Sequence, residues 1–237
     1  MNEVESKPNL WHVLAVYVSW LLITEFVPDL FRLAGLSGRV NLWLLSALRM
    51  AFLLLAAWAY VAWYERKTFS SGFNIRLEKL GKNLLWAVVF ALLAMAVLAA
   101  YQFLLVNRIL DRTVEASAAP VSEAVKPFGE RILEYLYVVF EGIVEVLIFI
   151  GFLVDRLVKR WNRTAAVIVG NIGFALWHYS YWQKGALEGS LMIFLTFLVG
   201  TVVSLNYLKT RNCFSSVICH TLVDTPTAIR ELLGMMG

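Results

Sequence analysis

The stretch 140–153 reads FEGIVEVLIFIGFL. It is apolar enough to lie inside a lipid bilayer, yet it carries two carboxylates, Glu141 and Glu145. A charged side chain at membrane depth costs about 2.5–3.5 kcal/mol on insertion scales, so it generally faces the interior of a helix bundle and serves a function. The two glutamates are four residues apart, which places them on one face of a helix. We therefore interpret this stretch as a membrane helix that carries a functional carboxylate.

The composition indicates a membrane protein rather than a soluble helical bundle. Of the 237 residues, 60% are hydrophobic and 16% are charged. A soluble domain of this size does not bury that much apolar surface in one core. Nine Trp and nine Tyr, many of them near the ends of apolar segments, are typical of the aromatic belts at membrane interfaces. We expect an all-α, polytopic transmembrane helical bundle.

Apolar segments of near-spanning length divide the chain into about seven candidate membrane spans. They are residues 10–26, 42–64, 84–106, 132–154, 164–182, 191–208 and 213–229. The connection 65–82 is predicted to contain an amphipathic part that lies along the interface, and the connection 107–131 is predicted to be flexible. Without a repeat or an attached soluble module, the chain is predicted to be a single integral membrane domain over residues 1–237, with a motif-bearing core at 132–226.

The distribution of basic residues predicts the orientation of the bundle. Lys and Arg are more numerous in the N-terminal segment and in the connections 65–82, 155–163 and 209–212 than at the opposite ends of the spans. Loops rich in Lys and Arg stay in the cytoplasm. We therefore expect the N-terminus to be cytoplasmic. The net charge of +4 includes no basic run that would indicate a nucleic-acid partner.

Further polar residues in the later apolar segments repeat the spacing of the two glutamates. Phe174 and His178 are four residues apart, and so are His220 and Asp224. Residues at this spacing share a helix face. Crude depth counts place Glu145, His178, His220 and Asp224 away from both membrane surfaces, and we expect these four side chains to converge in one buried polar site.

Structural explanations of the same residues remain open from the sequence. An intramembrane histidine can hold two helices together through a hydrogen bond to a backbone carbonyl. A buried glutamate can be neutral and structural, because burial raises the pKa of its carboxyl group. Asp224 precedes Thr225 and Pro226 and so can belong to a turn.

The combined set suits hydrolysis of a peptide bond by activated water. A glutamate beside a histidine can take a proton from water, and a second histidine with a short polar side chain can stabilise an oxyanion. The same side chains could bind Zn²⁺, but neither an HExxH motif nor a pair of histidines four apart supports a metal. Cys213 and Cys219 lie six residues apart in one segment and are predicted to be unpaired thiols.

These residues resemble the motifs of the CPBP family of intramembrane proteases, the CAAX protease and bacteriocin-processing (Abi) family. The first family motif, Glu-Glu-x-x-x-Arg, aligns with residues 145–150. The second, Phe-x-x-x-His, aligns with Phe174 and His178, and the third, His-x-x-x-Asn or Asp, aligns with His220 and Asp224. The resemblance covers residues 132–226.

The chain departs from the family pattern at two positions of the first motif. Val146 replaces the second glutamate and Ile150 replaces the arginine, so a charge partner that would order the site is missing. Glu141, one helical turn earlier, is a candidate auxiliary residue in place of the lost carboxylate. Phe174 is a second candidate auxiliary residue. The third motif ends in Asp224 rather than the commoner asparagine, and an ionised aspartate cannot donate to an oxyanion.

The resemblance implies an intramembrane glutamic-type endopeptidase. We expect no cofactor, and a zinc-dependent variant stays open. In that family's mechanism, Glu145 and His178 would activate water, and His220 and Asp224 would stabilise the tetrahedral intermediate. The substrate would be a membrane-associated protein or peptide. Substrates of the family include prenylated CAAX proteins in eukaryotes, and leader peptides, bacteriocins or membrane-anchored proteins in bacteria. The compact chain looks more like a bacterial cytoplasmic-membrane member. The alternatives are a catalytically weakened or inactive scaffold of the same fold and, with less support, a proton-coupled carrier.

Overall fold

The computed structural model describes residues 39–103 and 128–233, together with Trp11, Val13, Ala15 and Val18. These residues form helices and no strand, in agreement with the predicted all-α fold. The remainder of the predicted first span and most of the connection 107–131, including its predicted flexibility, lie outside the described residues.

The helices follow the predicted spans closely along the described chain. We number them in order, and note the two places where an α-helix continues as a π-helix. They are α1 (Arg39–Ala59) with a π-helix (Tyr60–Tyr64), α2 (Phe69–Gly72), α3 (Leu80–Tyr101), α4 (Phe128–Glu145) with a π-helix (Val146–Val154), α5 (Asp155–Arg160), α6 (Arg163–Trp177), a 3-10 helix (Tyr179–Lys184), α7 (Ala186–Thr210) and α8 (Cys213–Leu233).

Several of these helices are suited to a bilayer. Among the described residues, Leu80–Tyr101, Tyr135–Arg160 and Ala186–Thr210 are long and apolar enough to cross a membrane, and Met50–Tyr64 and Arg163–Trp177 are shorter apolar helices. The outward face of α3 exposes large aliphatic side chains, as expected of a surface that contacts lipid. The predicted membrane bundle is confirmed, and the number of seven spans stays a prediction.

Residues 128–160 run without interruption through α4, the second π-helix and α5, and we call them the central helix. All residues from 144 to 157 are buried. The central helix packs against α1, α6, α7 and α8. A helix that is apolar on every side is expected at the middle of a bundle. The sequence therefore indicates its position correctly, although it gives no sign of the π-helical turn.

The predicted span 164–182 is wrong at its C-terminal end, because α6 stops at Trp177. His178 has left the helical conformation, and its backbone N–H bonds to Ala175 O at 3.0 Å. Its ring Nδ1 lies 3.1 Å from the carbonyl oxygen of Phe174. Side chains that satisfy the last carbonyls in this way cap a helix C-terminus. The chain continues as the 3-10 helix as far as Lys184.

Helix α8 continues through Pro226, so Asp224 belongs to a helix and not to the turn that the sequence left open. Proline lacks the N–H that would bond to the carbonyl four residues earlier. Immediately beside it, the hydroxyl of Thr225 donates to the carbonyl of Thr221 at 2.6 Å. The helical spacing of His220 and Asp224 is therefore kept.

The connection 65–79 is packed against one end of the bundle. Phe73 is fully buried, and the start of α8 is attached to this segment by a hydrogen bond from the Cys213 N–H to Asn74 O at 2.9 Å. Asn212 also exchanges two hydrogen bonds with the backbone of Arg76. The predicted amphipathic connector thus contributes core residues as well as surface.

Polar and charged side chains from this connection, α5 and α7 contact one another, and we call them the Arg156 cluster. Its members are Glu65, Asn74, Asp155, Arg156, Lys159 and Tyr207. Tyr207 donates to Asp155 at 2.5 Å and accepts from Asn74 at 2.9 Å. Lys159 pairs with the other oxygen of Asp155 at 2.8 Å. Arg156 and Glu65 complete the cluster with a salt bridge of 2.7 Å. Buried charges persist in proteins when they are paired in this way.

Candidate active site

Glu145 is the last residue of α4 and stands directly before the π-helix of the central helix. Its side chain is 5% exposed. The indole N–H of Trp177 donates to Oε1 at 3.0 Å, His178 Nε2 lies 3.6 Å from the same oxygen, and His220 Nε2 lies 3.3 Å from Oε2. The buried carboxylate thus contacts an indole and an imidazole from the C-terminal end of α6 and a second imidazole from α8.

The capping contact at the end of α6 determines how His178 faces this carboxylate. A carbonyl oxygen only accepts hydrogen bonds, so Nδ1 of His178 carries the hydrogen that is donated to Phe174 O. In the neutral ring Nε2 then has a free lone pair. That nitrogen is directed at Glu145. Two acceptors therefore face each other, an arrangement that suits a water molecule donating to both.

His220 lies between two carboxylates. Its Nε2 is 3.3 Å from Glu145 Oε2 and 3.4 Å from Asp224 Oδ2. The opposite ring nitrogen, Nδ1, is buried and has no hydrogen-bond partner among the described residues. A buried polar atom without a partner costs about 1–3 kcal/mol. A catalytic role is one explanation for such a group, and a bound water molecule is another.

A glycine allows α8 to approach the central helix at this level. A Cβ atom on Gly142 would lie 3.2 Å from His220 Cδ2 and 3.4 Å from Asp224 Oδ2. Both distances are at or below ordinary van der Waals contact. Any larger residue at position 142 would press directly on the two motif residues of α8.

Aromatic rings form the wall behind the two imidazoles. The ring of Phe174 meets His178 edge-on with centroids 5.1 Å apart and meets His220 with centroids 5.9 Å apart. On its other side Phe174 packs against Phe149. Tyr181, in the 3-10 helix, stacks on His178 at 5.6 Å. The predicted auxiliary residue Phe174 is thereby placed against both histidines.

Glu141, the other predicted auxiliary residue, lies one turn before Glu145 on the central helix and is half-buried. Its Oε1 accepts a hydrogen bond from the hydroxyl of Tyr137 at 3.1 Å. That contact holds the carboxylate along its own helix, whereas Glu145 is held by α6 and α8.

The two positions that depart from the family motif line a small cavity beside Glu145. Val146 and Ile150 form part of its wall, together with Phe174, Gly200 and His220. The cavity has room for about one water molecule. Apolar side chains thus stand where the family has a carboxylate and a guanidinium, and the described partners of Glu145 are Trp177 and the histidines.

The four predicted residues differ in how far they are open to the surroundings. Glu145 and His220 are 5% and 7% exposed in their side chains, whereas His178 is 22% and Asp224 is 36% exposed. His178 and Asp224 are therefore the two of these side chains that are open to the surroundings. The structure brings all four predicted residues together, and their catalytic roles stay predictions.

Trp177 is the residue of the site that the sequence interpretation missed. Its position directly before His178 offered a signal, because an indole N–H inside a membrane requires an acceptor. The described residues contain no group of three or more His, Cys, Asp or Glu side chains arranged to hold a metal ion. The absence of a cofactor stays a prediction. Cys213 and Cys219 are free, buried thiols, as expected.

Residues 129–226 match the family model described as Rce1-like, type II CAAX prenyl endopeptidase. No curated protein and no solved structure matches the chain. The matched region is less than half of the chain and contains every motif residue named above. The resemblance to the CAAX protease family is therefore confirmed over this region, and it supports a membrane endopeptidase in general terms.

Proposed function

Since residues 129–226 match the Rce1-like family, we propose that the protein is an intramembrane endopeptidase in which Glu145 and His178 activate water to hydrolyse a peptide bond. One observation carries this proposal: a buried carboxylate lies 3.3 and 3.6 Å from two imidazole nitrogens at the centre of a membrane bundle. A glutamate in this position is a general base whose orientation is fixed by its neighbours.

The first step is attack of water on the substrate carbonyl. Water donates one hydrogen to Glu145 Oε1 and the other to His178 Nε2, so its lone pairs point away from both residues and toward the carbonyl carbon. As the oxygen–carbon bond forms, the proton moves to Glu145. Trp177 continues to hold Oε1 in place through its indole N–H. General base catalysis of this kind contributes about 10²–10⁴-fold in rate.

The second step uses the residues of α8. The carbonyl electrons move to oxygen, and the resulting oxyanion needs donors about 2.7–3.1 Å away. His220 Nε2–H is one donor. Asp224 serves as the other only when it carries a proton, because an ionised carboxylate only accepts. The proton taken by Glu145 then passes to the departing amine, the carbon–nitrogen bond breaks, and the products are a carboxylate and an amine.

The surroundings of the site determine the class of substrate. His178 and Asp224 are open to the surroundings, among helices that are apolar on their outer faces. We therefore propose a membrane-associated protein or peptide as the substrate, bound in contact with the bilayer. A prenylated CAAX peptide and a bacterial leader peptide are the two candidates. The proposed location is a bacterial cytoplasmic membrane with the N-terminus in the cytoplasm.

A non-enzymatic scaffold is the second candidate function. It is favoured by Val146 and Ile150, since these apolar side chains replace the charged pair of the family motif beside Glu145. A scaffold would keep the fold and bind its partner without cleaving it. The two functions differ in whether any peptide is hydrolysed.

The test is hydrolysis by the purified full-length protein in detergent and in lipid vesicles. Farnesylated peptides ending in a CAAX sequence, and unmodified leader-type peptides, are incubated in water enriched in oxygen-18. We expect one product to carry the heavy oxygen in its new carboxylate, in the presence or absence of a zinc chelator. Glu145→Gln should abolish the product, and Glu78→Gln, on the exposed connector, should not. Binding of a peptide without cleavage by the wild type would favour the scaffold.

A further inference from the structure

Arg156 is a buried guanidinium eleven residues beyond Glu145 on the central helix, with a side chain 2% exposed. Its Nε and Nη2 donate to the two carboxylate oxygens of Glu65 at 2.9 and 2.7 Å. Nη2 also donates to Gly72 O at 3.1 Å. A two-pronged pair of this kind fixes both the position and the orientation of the guanidinium.

The other prong of the guanidinium binds the central helix itself. Nη1 donates to Gly151 O at 2.9 Å and to Phe152 O at 3.2 Å. These contacts and the three described above account for all five N–H groups of an arginine side chain. Arg156 is therefore fully satisfied, and it joins the connection after α1 to two carbonyls near the end of the π-helix.

Those two carbonyls lie where the π-helix returns to an α-helix. The Asp155 N–H still bonds to Ile150 O, five residues back, as in a π-helix. A π-turn holds one more residue than an α-turn, so its removal would rotate the parts of the helix on either side by roughly 100° relative to each other. Glu145 stands directly on the other side of this π-helix.

We propose that Arg156 is a positioning residue for Glu145: by clamping Gly151 and Phe152 to Glu65 and the connection after α1, it fixes the π-helical register of residues 146–154 and so directs the carboxylate at the two histidines. The clamp is made of groups that carry no part of the proposed chemistry. It links the site to the connection 65–79, which packs against the end of the bundle.

The donor geometry of the clamp explains why lysine cannot replace Arg156. Lysine at position 156 would keep the charge but present three donors on a single nitrogen, without the planar fork. It cannot bind Glu65 and both helix carbonyls together in the same geometry. A shift of about 1 Å in a catalytic group costs on the order of 100-fold in rate. The change should therefore affect turnover more than substrate binding.

The experiment measures the position of Glu145 without relying on activity. Protein with nitrogen-15 in its nine tryptophans gives indole N–H signals in detergent micelles, and Trp177→Phe assigns the signal of Trp177, which bonds to Glu145. The variants are Arg156→Lys, Glu65→Gln and the control Lys159→Gln. Lys159 is on the same helix and is 35% exposed, and its ion-pair partner among the described residues is Asp155.

We expect Arg156→Lys to move the Trp177 indole signal toward its position in Glu145→Gln, and to lower kcat about 10- to 100-fold with little change in KM. Lys159→Gln should leave both unchanged. Glu65→Gln keeps its shape and should move the signal in the same direction, so it gives an answer even if Arg156→Lys does not fold. An unmoved Trp177 signal in whichever of the two variants folds would overturn the proposal.

The kinetic part of this inference rests on the proposed function, whereas the indole signal does not. A shifted signal in a protein that cleaves no peptide would leave the positioning role standing and remove the protease. A cleaving enzyme whose Trp177 signal is insensitive to Arg156→Lys would keep the protease and remove the positioning role.

Discussion

Two groups of polar side chains occupy opposite ends of one buried segment of the central helix. Around Arg156, every N–H of the guanidinium has an acceptor, and the salt bridge to Glu65 is 2.7 Å long. Around Glu145, the contacts to His178 and His220 are 3.6 and 3.3 Å, and the part of the chain that the structure describes offers no partner to one buried imidazole nitrogen. We call the second group the Glu145 cluster, and it also includes Trp177 and Asp224.

The difference between the two groups follows from what each can do for the chain. A fully paired buried charge resists change, because removing one partner leaves the other unpaired in an apolar interior. A partly paired and partly exposed group can instead accept a new partner, such as water or a peptide carbonyl. The Arg156 cluster is therefore expected to stabilise the fold, and the Glu145 cluster is expected to bind a water molecule or a substrate.

After Glu145→Gln, the largest expected effect on activity is that of His178→Ala. The change removes the nitrogen that orients water beside Glu145, and we expect peptide cleavage to fall about 10²–10⁴-fold. Initial rates with a cleaved peptide measure this loss. The control is His12→Ala, at the one histidine of the chain that belongs to none of the motifs, and it should keep the wild-type rate. If His178→Ala cleaves the peptide at a rate within about tenfold of wild type, His178 does not orient the attacking water.

Arg156→Met should have the largest effect on stability. It leaves the Glu65 carboxylate and two helix carbonyls without their donor, and breaking a buried ion pair in this way costs about 3–5 kcal/mol. The thermal midpoint of the detergent-solubilised protein should fall well below that of wild type. The control Lys82→Met, at an exposed position of α3, should change it far less. Equal thermal midpoints for the two variants would show that Arg156 stabilises the fold no more than an exposed lysine does.

Trp177→Phe tests the contact that the sequence did not reveal. A hydrogen bond to a charged group contributes about 1.5–3 kcal/mol, and its loss should lower kcat about tenfold or more. Trp182→Phe is a matched control, because the Trp182 indole bonds to Ser190 at 3.1 Å on the exposed 3-10 helix. Equal activity of the two variants would show that Trp177 does not orient Glu145.

Gly142→Ala should disturb the same cluster from α4. The new methyl group meets His220 and Asp224 at 3.2 and 3.4 Å, so we expect a loss of about tenfold in kcat from displacement of a catalytic group. Gly129→Ala, in the first turn of the same helix, meets no described atom within 4 Å and should keep the wild-type rate. An unchanged rate in Gly142→Ala would mean that α8 moves away from the new methyl group without disturbing the action of His220 and Asp224.

The smallest expected effect is that of Glu141→Gln. The amide oxygen can still accept the hydroxyl of Tyr137, so we expect kcat to stay close to that of wild type. The pH–rate profile should keep its acidic limb. A loss above tenfold, or a shifted limb, would instead show that Glu141 and Glu145 share a proton and that Glu141 replaces the carboxylate missing at Val146.

The sequence predicted the membrane bundle and the grouping of polar residues because both depend on local patterns. Apolar length reveals helices that are confined to lipid, and the spacing of His220 and Asp224 gives their common helix face. The position of Glu145 in an apolar stretch marks it as unusual without any knowledge of its neighbours. These signals are contained in short windows of the chain.

The remaining features depend on contacts between distant parts of the chain. Arg156 meets Glu65 across 91 residues, and a count of basic residues places Arg156 only in a loop. The end of α6 at Trp177 depends on a side chain of His178 that caps its own helix. Nothing in the composition of residues 146–154 distinguishes a π-helix from an α-helix, because that choice depends on how the clamp and the surrounding helices fit.

The most direct measurement compares Glu145→Gln with wild type in turnover and in thermal stability, on the same purified preparations. The substitution keeps the shape of the side chain and can still accept the indole N–H of Trp177. We predict that peptide cleavage falls about 10²–10⁴-fold, while the thermal midpoint stays near or above that of wild type. Near-normal cleavage, or a loss of stability as large as that of Arg156→Met, would contradict the account.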